Sequence, residues 1–256
     1  DTLPTADELL QSNGLWYSYD FHSSLSHTNA DTALSQMCEA IMRGAEALTA
    51  AEVVIITFGT AFVYRLNASG KVVANCHKQP QKLFTRQMLS AEEIVKRYNT
   101  LLQGPLADKR VIFTLSPVRH LGDGLEQNSL SKATLRVALG EIVSANENAE
   151  YFPSYEILMD ELRDYRFYAD DMAHPSPLAV DYIWERFGQT IFSSDTLELN
   201  SRIERILAAA EHRPFNPDSD AHRTFCRRMM DECELLEADV PSIHLDKEKE
   251  YFRGYL

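Results

Sequence analysis

The sequence predicts an α/β fold, a three-layer α/β/α arrangement around a doubly wound parallel sheet, followed by a C-terminal helical extension. Three observations carry this reading. Val53-Val54-Ile55-Ile56-Thr57-Phe58 and Val111-Ile112-Phe113-Thr114-Leu115 are unbroken apolar runs, the pattern of strands covered on both faces. Helical periodicities alternate with them, as in βαβ units. Beyond Ser194 the pattern is helical only.

The elements follow in order. Residues 31–50 read as a helix, because Leu34, Met37, Ile41, Ala45 and Leu48 recur at helical spacing, with Asp31 as cap. The first strand follows and stops at Gly59-Thr60. Phe62 to Arg65 and Lys71 to Asn75 then form a hairpin around Asn67-Ala68-Ser69-Gly70. Ser90-Ala91-Glu92-Glu93 is a capping box opening a helix with Ile94, Val95, Tyr98, Leu101 and Leu102 on one face. The second strand ends at Ser116-Pro117, and a third helix covers 129–144 with Leu130, Ala133, Val137 and Ile142. Glu150-Tyr151-Phe152 is a short third strand before a helical stretch at 155–162. Ser176-Pro177 starts another helix, with Ser as cap and Pro in the first position. These features give one domain over 1–193 and an extension over 194–256, where Leu197, Leu199, Ile203, Ile206 and Leu207 precede a second helix at 225–236. Lys247 to Glu250 reads as a solvated tail.

Charge narrows the function classes. A net charge of −13 argues against nucleic acid, which needs a cationic face, and against anionic membrane surfaces. No apolar run reaches the ~18 residues of a membrane span. The first residues, Asp1-Thr2-Leu3-Pro4, show no signal peptide and no initiator Met, so the expectation is a processed or partial chain. Cys38, Cys76, Cys226 and Cys233 lack metal-finger spacing and fit a reducing, cytoplasmic setting. Asn67-Ala68-Ser69 matches a glycosylation triplet, with nothing else pointing to secretion.

Chemistry concentrates where strands end, since ligands of parallel sheets bind beyond the carboxyl ends of the strands. Asp170-Asp171-Met172-Ala173-His174-Pro175-Ser176 is the sharpest feature. A carboxylate three residues before a histidine can accept the imidazole N–H, fix the tautomer and stabilise the imidazolium. Spacing favours Asp171 over Asp170 as partner of His174. Ser116-Pro117-Val118-Arg119-His120 follows a strand directly, and Arg119 either binds an anionic substrate group or pairs with a nearby acid. Gly59-Thr60 either offers an N–H or hydroxyl to an oxyanion or simply turns the chain. His22 and His77 read as structural. A metal site from Asp171, His174 and Asp181 lacks a second histidine nearby, so no metal and no cofactor are expected. Tyr17, Tyr19, Phe62, Tyr64 and Arg119 either line a polar-aromatic pocket suited to sugars or belong to the core.

Several blocks together resemble the GSCFA family, a bacterial group. They are Thr57-Phe58-Gly59-Thr60-Ala61-Phe62-Val63-Tyr64-Arg65, Val73-Ala74-Asn75-Cys76-His77-Lys78, Ser116-Pro117-Val118-Arg119-His120, Asn128-Ser129-Leu130-Ser131-Lys132-Ala133 and Asp171-Met172-Ala173-His174-Pro175-Ser176. The run from Tyr151-Phe152-Pro153-Ser154-Tyr155-Glu156 to Tyr168 and the segment Tyr182-Ile183-Trp184-Glu185-Arg186-Phe187 extend the likeness over nearly the whole chain. The family is similar in fold to SGNH/GDSL hydrolases. That resemblance implies an SGNH/flavodoxin-like sheet, hydrolysis or transfer of carboxylic esters, and a Ser–Asp–His triad without metal. Asp171 and His174 match the Asp and His of that triad. Gly59 matches the glycine of a block whose oxyanion-binding Asn is missing here, replaced by Thr60 or lost. The naming Gly-Ser-Cys-Phe-Ala motif, which supplies the serine, does not occur in these residues.

The expectation is therefore an esterase or acyl-transfer enzyme acting on a small-molecule or glycan ester, with its nucleophile outside this chain. A non-catalytic carbohydrate- or protein-binding module keeping the pocket is the alternative. A third reading uses an in-chain hydroxyl, with Ser154, Ser116 and Thr60 as candidates. Oligomeric state is not legible in the sequence.

Overall fold

The computed structural model describes residues 3–256. The chain forms two compact units, Asp1–Ile183 and Trp184–Leu256.

The first unit opens with a small hairpin, β1 (Leu10–Ser12) and β2 (Leu15–Tyr17). Asn13 and Gly14 turn it with φ of 50° and 76°, the left-handed pair a two-residue hairpin requires. The helix α1 (Ala30–Ala50) is capped by Asn29, whose side chain accepts from Thr32 N, so the cap lies two residues before Asp31. Ala33 and Met37 are fully buried against Leu9, with Trp16, Phe21 and Leu25 around them. Residues 42–50 are exposed throughout, so the expected apolar stripe is covered only in its first half.

The strand β3 (Val53–Phe58) begins the parallel sheet. Between it and the next parallel strand lies an antiparallel sheet ordered β5-β4-β6, made of β4 (Phe62–Leu66), β5 (Val72–Val73) and β6 (Phe84–Met88). The β4–β5 hairpin matches the sequence pattern; β6, Phe-Thr-Arg-Gln-Met, has no apolar alternation to announce it. The helix α2 (Ala91–Leu102) starts at the Ser90–Glu93 capping box, with both reciprocal bonds made. Then come β7 (Arg110–Leu115), α3 (Leu125–Ala145) and β8 (Ala149–Phe152). The parallel sheet is ordered β3-β7-β8, with Phe58 opposite Leu115 and Thr114 opposite Phe152.

The three parallel strands follow one another in chain order, and α2 and α3 pack together on one face, while Thr114 bonds Ser154 at the start of the following helix on the other. The chain is thus an α/β protein with a parallel sheet and separate antiparallel sheets. One expectation needs correction here. The strand β3 is not covered on both faces. Phe58, Val54 and Ile56 meet the α2–α3 layer, whereas Val53 and Ile55 are 44% and 54% exposed. The reason is position: β3 is an outer strand. The central β7 meets the sequence expectation, with Val111, Ile112, Phe113 and Leu115 fully buried. The core between sheet and helices consists of Phe113, Leu115, Ile94, Leu102, Leu135, Leu139 and Ile142. Truncating Phe113 to Ala there costs about 3–5 kcal/mol.

After β8, a short α4 (Ser154–Glu156) runs into a π-helical stretch, Ile157–Leu162, which stops at left-handed Arg163. The helix α5 (Pro177–Ile191) follows, and Ser176 Oγ accepts from Ala179 N at its start, as the Ser-Pro signal predicts.

The second unit is helical. The helices α6 (Ser194–Glu211), α7 (Asp220–Asp239) and α8 (Asp246–Arg253) bury Ile206, Cys226, Met229, Cys233, Leu236, Leu245 and Phe252. Ser193 and Ser219 cap α6 and α7. The segment 247–250, expected to be a solvated tail, is instead part of α8. Lys249 pairs with Glu237 at 2.7 Å, and Phe252 anchors the helix in the core. Among the described residues no helix is long and apolar enough to cross a membrane, and all four cysteines are free thiols.

Candidate functional site

The Asp171–His174 pair forms on a tight loop. Met172 is left-handed (φ 57°), which bends the chain back. Asp171 Oδ1 accepts from the amides of Ala173 and His174, each at 2.9 Å, and Oδ2 lies 2.6 Å from His174 Nδ1. The two amide bonds first, and the ring bond after them, lower the Asp171 carboxyl to about 2. The carboxylate is thus charged and fixes the tautomer with Nδ1 protonated. The side chains are 62% and 51% exposed, and His174 Nε2 has no partner among the described residues. The loop's stem is closed by Ala169 N to His174 O and Ser176 N to Phe167 O.

This loop is fastened to the carboxyl end of β7. Arg119 N donates to Ala173 O at 3.0 Å, and its guanidinium donates to Met172 O at 3.2 Å while lying 4.0 Å over the Tyr168 ring. Arg119 pairs with no acid, so of the two sequence readings the ion pair is not the one made. Its contacts hold the Asp171–His174 loop, with cation–π stacking supporting the guanidinium.

The ends of β3 and β7 meet at Gly59, Thr60 and Ser116. Ser116 N donates to Phe58 O, the last rung of the parallel ladder. The next rung, from Thr60 N to Ser116 O, is not made. Ser116 O accepts instead from Lys132 Nζ at 2.6 Å, which also donates to Gly59 O at 2.7 Å. Neither the Gly59 amide nor the Thr60 amide has an acceptor among the described residues. A Cβ on Gly59 would stand 3.7 Å from His120 Nε2, so that imidazole lies beside the strand end.

The three in-chain hydroxyls are each engaged. Thr60 Oγ1 accepts from Phe62 N and bonds Ser131 Oγ, which itself accepts from Ala61 N. Ser116 Oγ accepts from Val118 N. Ser154 is buried, bonding Thr114 Oγ1 at 2.6 Å and Leu115 O at 2.8 Å. None bonds His174. The Thr60 hydroxyl is thus engaged within the chain.

His22 and His77 bond within the fold. His77 Nε2 reaches two carbonyls, Ser18 O and Phe21 O, and must carry the proton there; His22 Nδ1 meets Ser24. Tyr17, Tyr19 and His77 form an aromatic cluster that continues through Phe84 to a cavity lined by Tyr64, Phe84 and Arg86, and Arg86 lies over the Phe62 ring; Arg119 stands apart, against Tyr168. Among the described residues no three His, Cys, Asp or Glu side chains gather to hold a metal.

Sequence reasoning did not single out Lys132 or His120. Lys132 is three residues before Leu135 and so shares the core-facing stripe of α3, a charge on an apolar face that could have marked it.

Fold and site define an α/β protein with an oriented Asp–His pair joined to the carboxyl edge of a parallel sheet. The GSCFA family model matches residues 1–187, and the model of the GSCFA domain protein C-terminal domain matches 203–256. The chain belongs to the GSCFA family. No curated protein and no solved structure matches it.

Proposed function

We propose that the chain is the base-bearing part of a serine-type carboxylic ester hydrolase or acyl-transfer enzyme, with an SGNH-like site at the carboxyl edge of the parallel sheet. The observation that carries this is the 2.6 Å Asp171–His174 bond with Nε2 left open, on a loop bonded to the end of β7. An imidazole so oriented takes a proton from an attacking hydroxyl at Nε2. It returns that proton to the leaving alkoxide, while Asp171 stabilises the imidazolium between the two transfers. The free amides of Gly59 and Thr60 are oriented donors for the oxyanion of a tetrahedral intermediate. Ser116, Ser154 and Thr60 are bonded within the chain and none reaches His174, so this reading keeps the nucleophile where the resemblance implies it, on the Gly-Ser-Cys-Phe-Ala segment that residues 1–256 lack.

The test is hydrolysis of a p-nitrophenyl ester by the full gene product. His174→Ala lowers turnover by a factor on the order of 10⁶, the loss expected when a triad base is removed. An unchanged rate in that variant removes the catalytic reading and leaves a binding module.

A further inference from the structure

Lys132 is the polar group of this region that the Asp171–His174 chemistry does not use. It is 2% exposed, among the largest fully buried side chains, and both its bonds go to neutral carbonyls. The chain has 38 acids against 25 lysines and arginines, so a carboxylate partner is easy to supply. Other shielded cations have one: Lys109 pairs with Asp108, Lys249 with Glu237 and Arg202 with Glu232. Burying a charge without a countercharge is costly, and a hydroxyl or amide could bond the same carbonyls with far less desolvation.

The neighbours of Lys132 leave its charge uncompensated. On its own helix, Arg136 is paired with Glu156, and Glu126 is exposed. On the 116–123 segment stand Arg119 and His120, and Asp123 is paired with Arg86. On α2, Glu93 is held in the capping box. On the strands, Arg110 and Glu150 pair at the opposite end. Burial pushes the Lys132 ammonium down to about 8, with no charged neighbour contributing. By bonding Gly59 O, the same ammonium polarises the Gly59–Thr60 peptide, whose N–H has no acceptor among the described residues.

The geometry points to Lys132 as a positioning residue that makes the Gly59–Thr60 strand end an anion site. Its buried charge favours the oxyanion that develops on the acyl group and the carboxylate product that follows. This rests on the hydrolase reading for its chemistry, but anion binding can be measured without turnover.

Acetate, a minimal carboxylate, is the probe, in thermal melts of the full gene product at constant ionic strength. Acetate raises the melting temperature of wild type near pH 7. Its apparent affinity weakens by up to about tenfold per pH unit as Lys132 loses its proton above pH 8. Lys132→Met shows no acetate response, and His174→Ala responds as wild type does. A wild-type response that is absent, or equal near pH 7 and about pH 9.5, overturns the inference, as does a response retained by Lys132→Met. If Lys132→Met fails to fold, the two-pH comparison on wild type decides alone. A protein inactive on esters that still shows the pH-dependent acetate response keeps this inference and loses the hydrolase reading. An active protein without that response does the reverse.

Discussion

The two ends of β7 are built from similar groups and treat them in opposite ways. At the amino end, Lys109 is nearly buried and bonds both Thr49 O and Asp108, and Arg110 forks onto Glu150. Asn148 ties Leu106 O and Lys109 O, so the fold uses the polar groups there. At the carboxyl end, Lys132 and Arg119 have no acid, two successive amides have no acceptor, and His174 Nε2 is open. Folding stability explains the first arrangement. It does not explain the second, because unpaired buried charge and unbonded donors work against it. Groups left in that state are available to a ligand.

The contrast can be broken by substitution, beginning where the effect is largest. Asp171→Asn keeps the loop's shape but not the ring's tautomer, and lowers ester turnover about 10⁴-fold in steady-state assays. Because Asp171 stays ionised down to about 2, its protonation plays no part in any loss of rate in mildly acidic buffer. Next is the stability of the carboxyl end. The folded ammonium of Lys132 titrates at about 8, below its ordinary 10.5. Between those values the unfolded chain holds the extra proton, so stability rises with pH through that window. Urea unfolding of wild type against Lys132→Met shows a gap that changes by roughly 3 kcal/mol across it and is flat below pH 8.

Smaller effects follow at the amino end. Glu150→Gln weakens the fork with Arg110, whose partners are both about two-fifths exposed, and costs under about 1 kcal/mol with no effect on turnover. Smallest is Gly59→Ala. The added methyl meets His120 at ordinary contact distance and the backbone is not left-handed, so stability changes by no more than about 0.5 kcal/mol. Turnover lost in that variant then reports on the crevice and not on folding.

How much of this was legible in the sequence follows the same division. Apolar runs gave two of the three parallel strands, β3 and β7, and local chemistry gave the Ser90–Glu93 box and the Ser176 cap, because each depends on adjacent residues. Asp171 and His174 were readable for the same reason: their bond spans one turn. The open face of β3 was not, since Val53 and Ile55 look like core residues and only the outer position of β3 exposes them. Nor was the Asn13-Gly14 hairpin, where three-residue strands give the turn signal no alternating flanks. For Lys132 only its place on the apolar stripe of α3 was readable; its partners are backbone carbonyls 16 and 73 residues away, which leave no mark in side-chain pattern.

Covalent labelling of the folded full gene product by a fluorophosphonate tests the central claim most directly. The account predicts rapid labelling in wild type, suppressed in His174→Ala, at a serine outside residues 1–256. A folded wild-type protein that stays unlabelled, or one labelled equally fast without the imidazole, would contradict it.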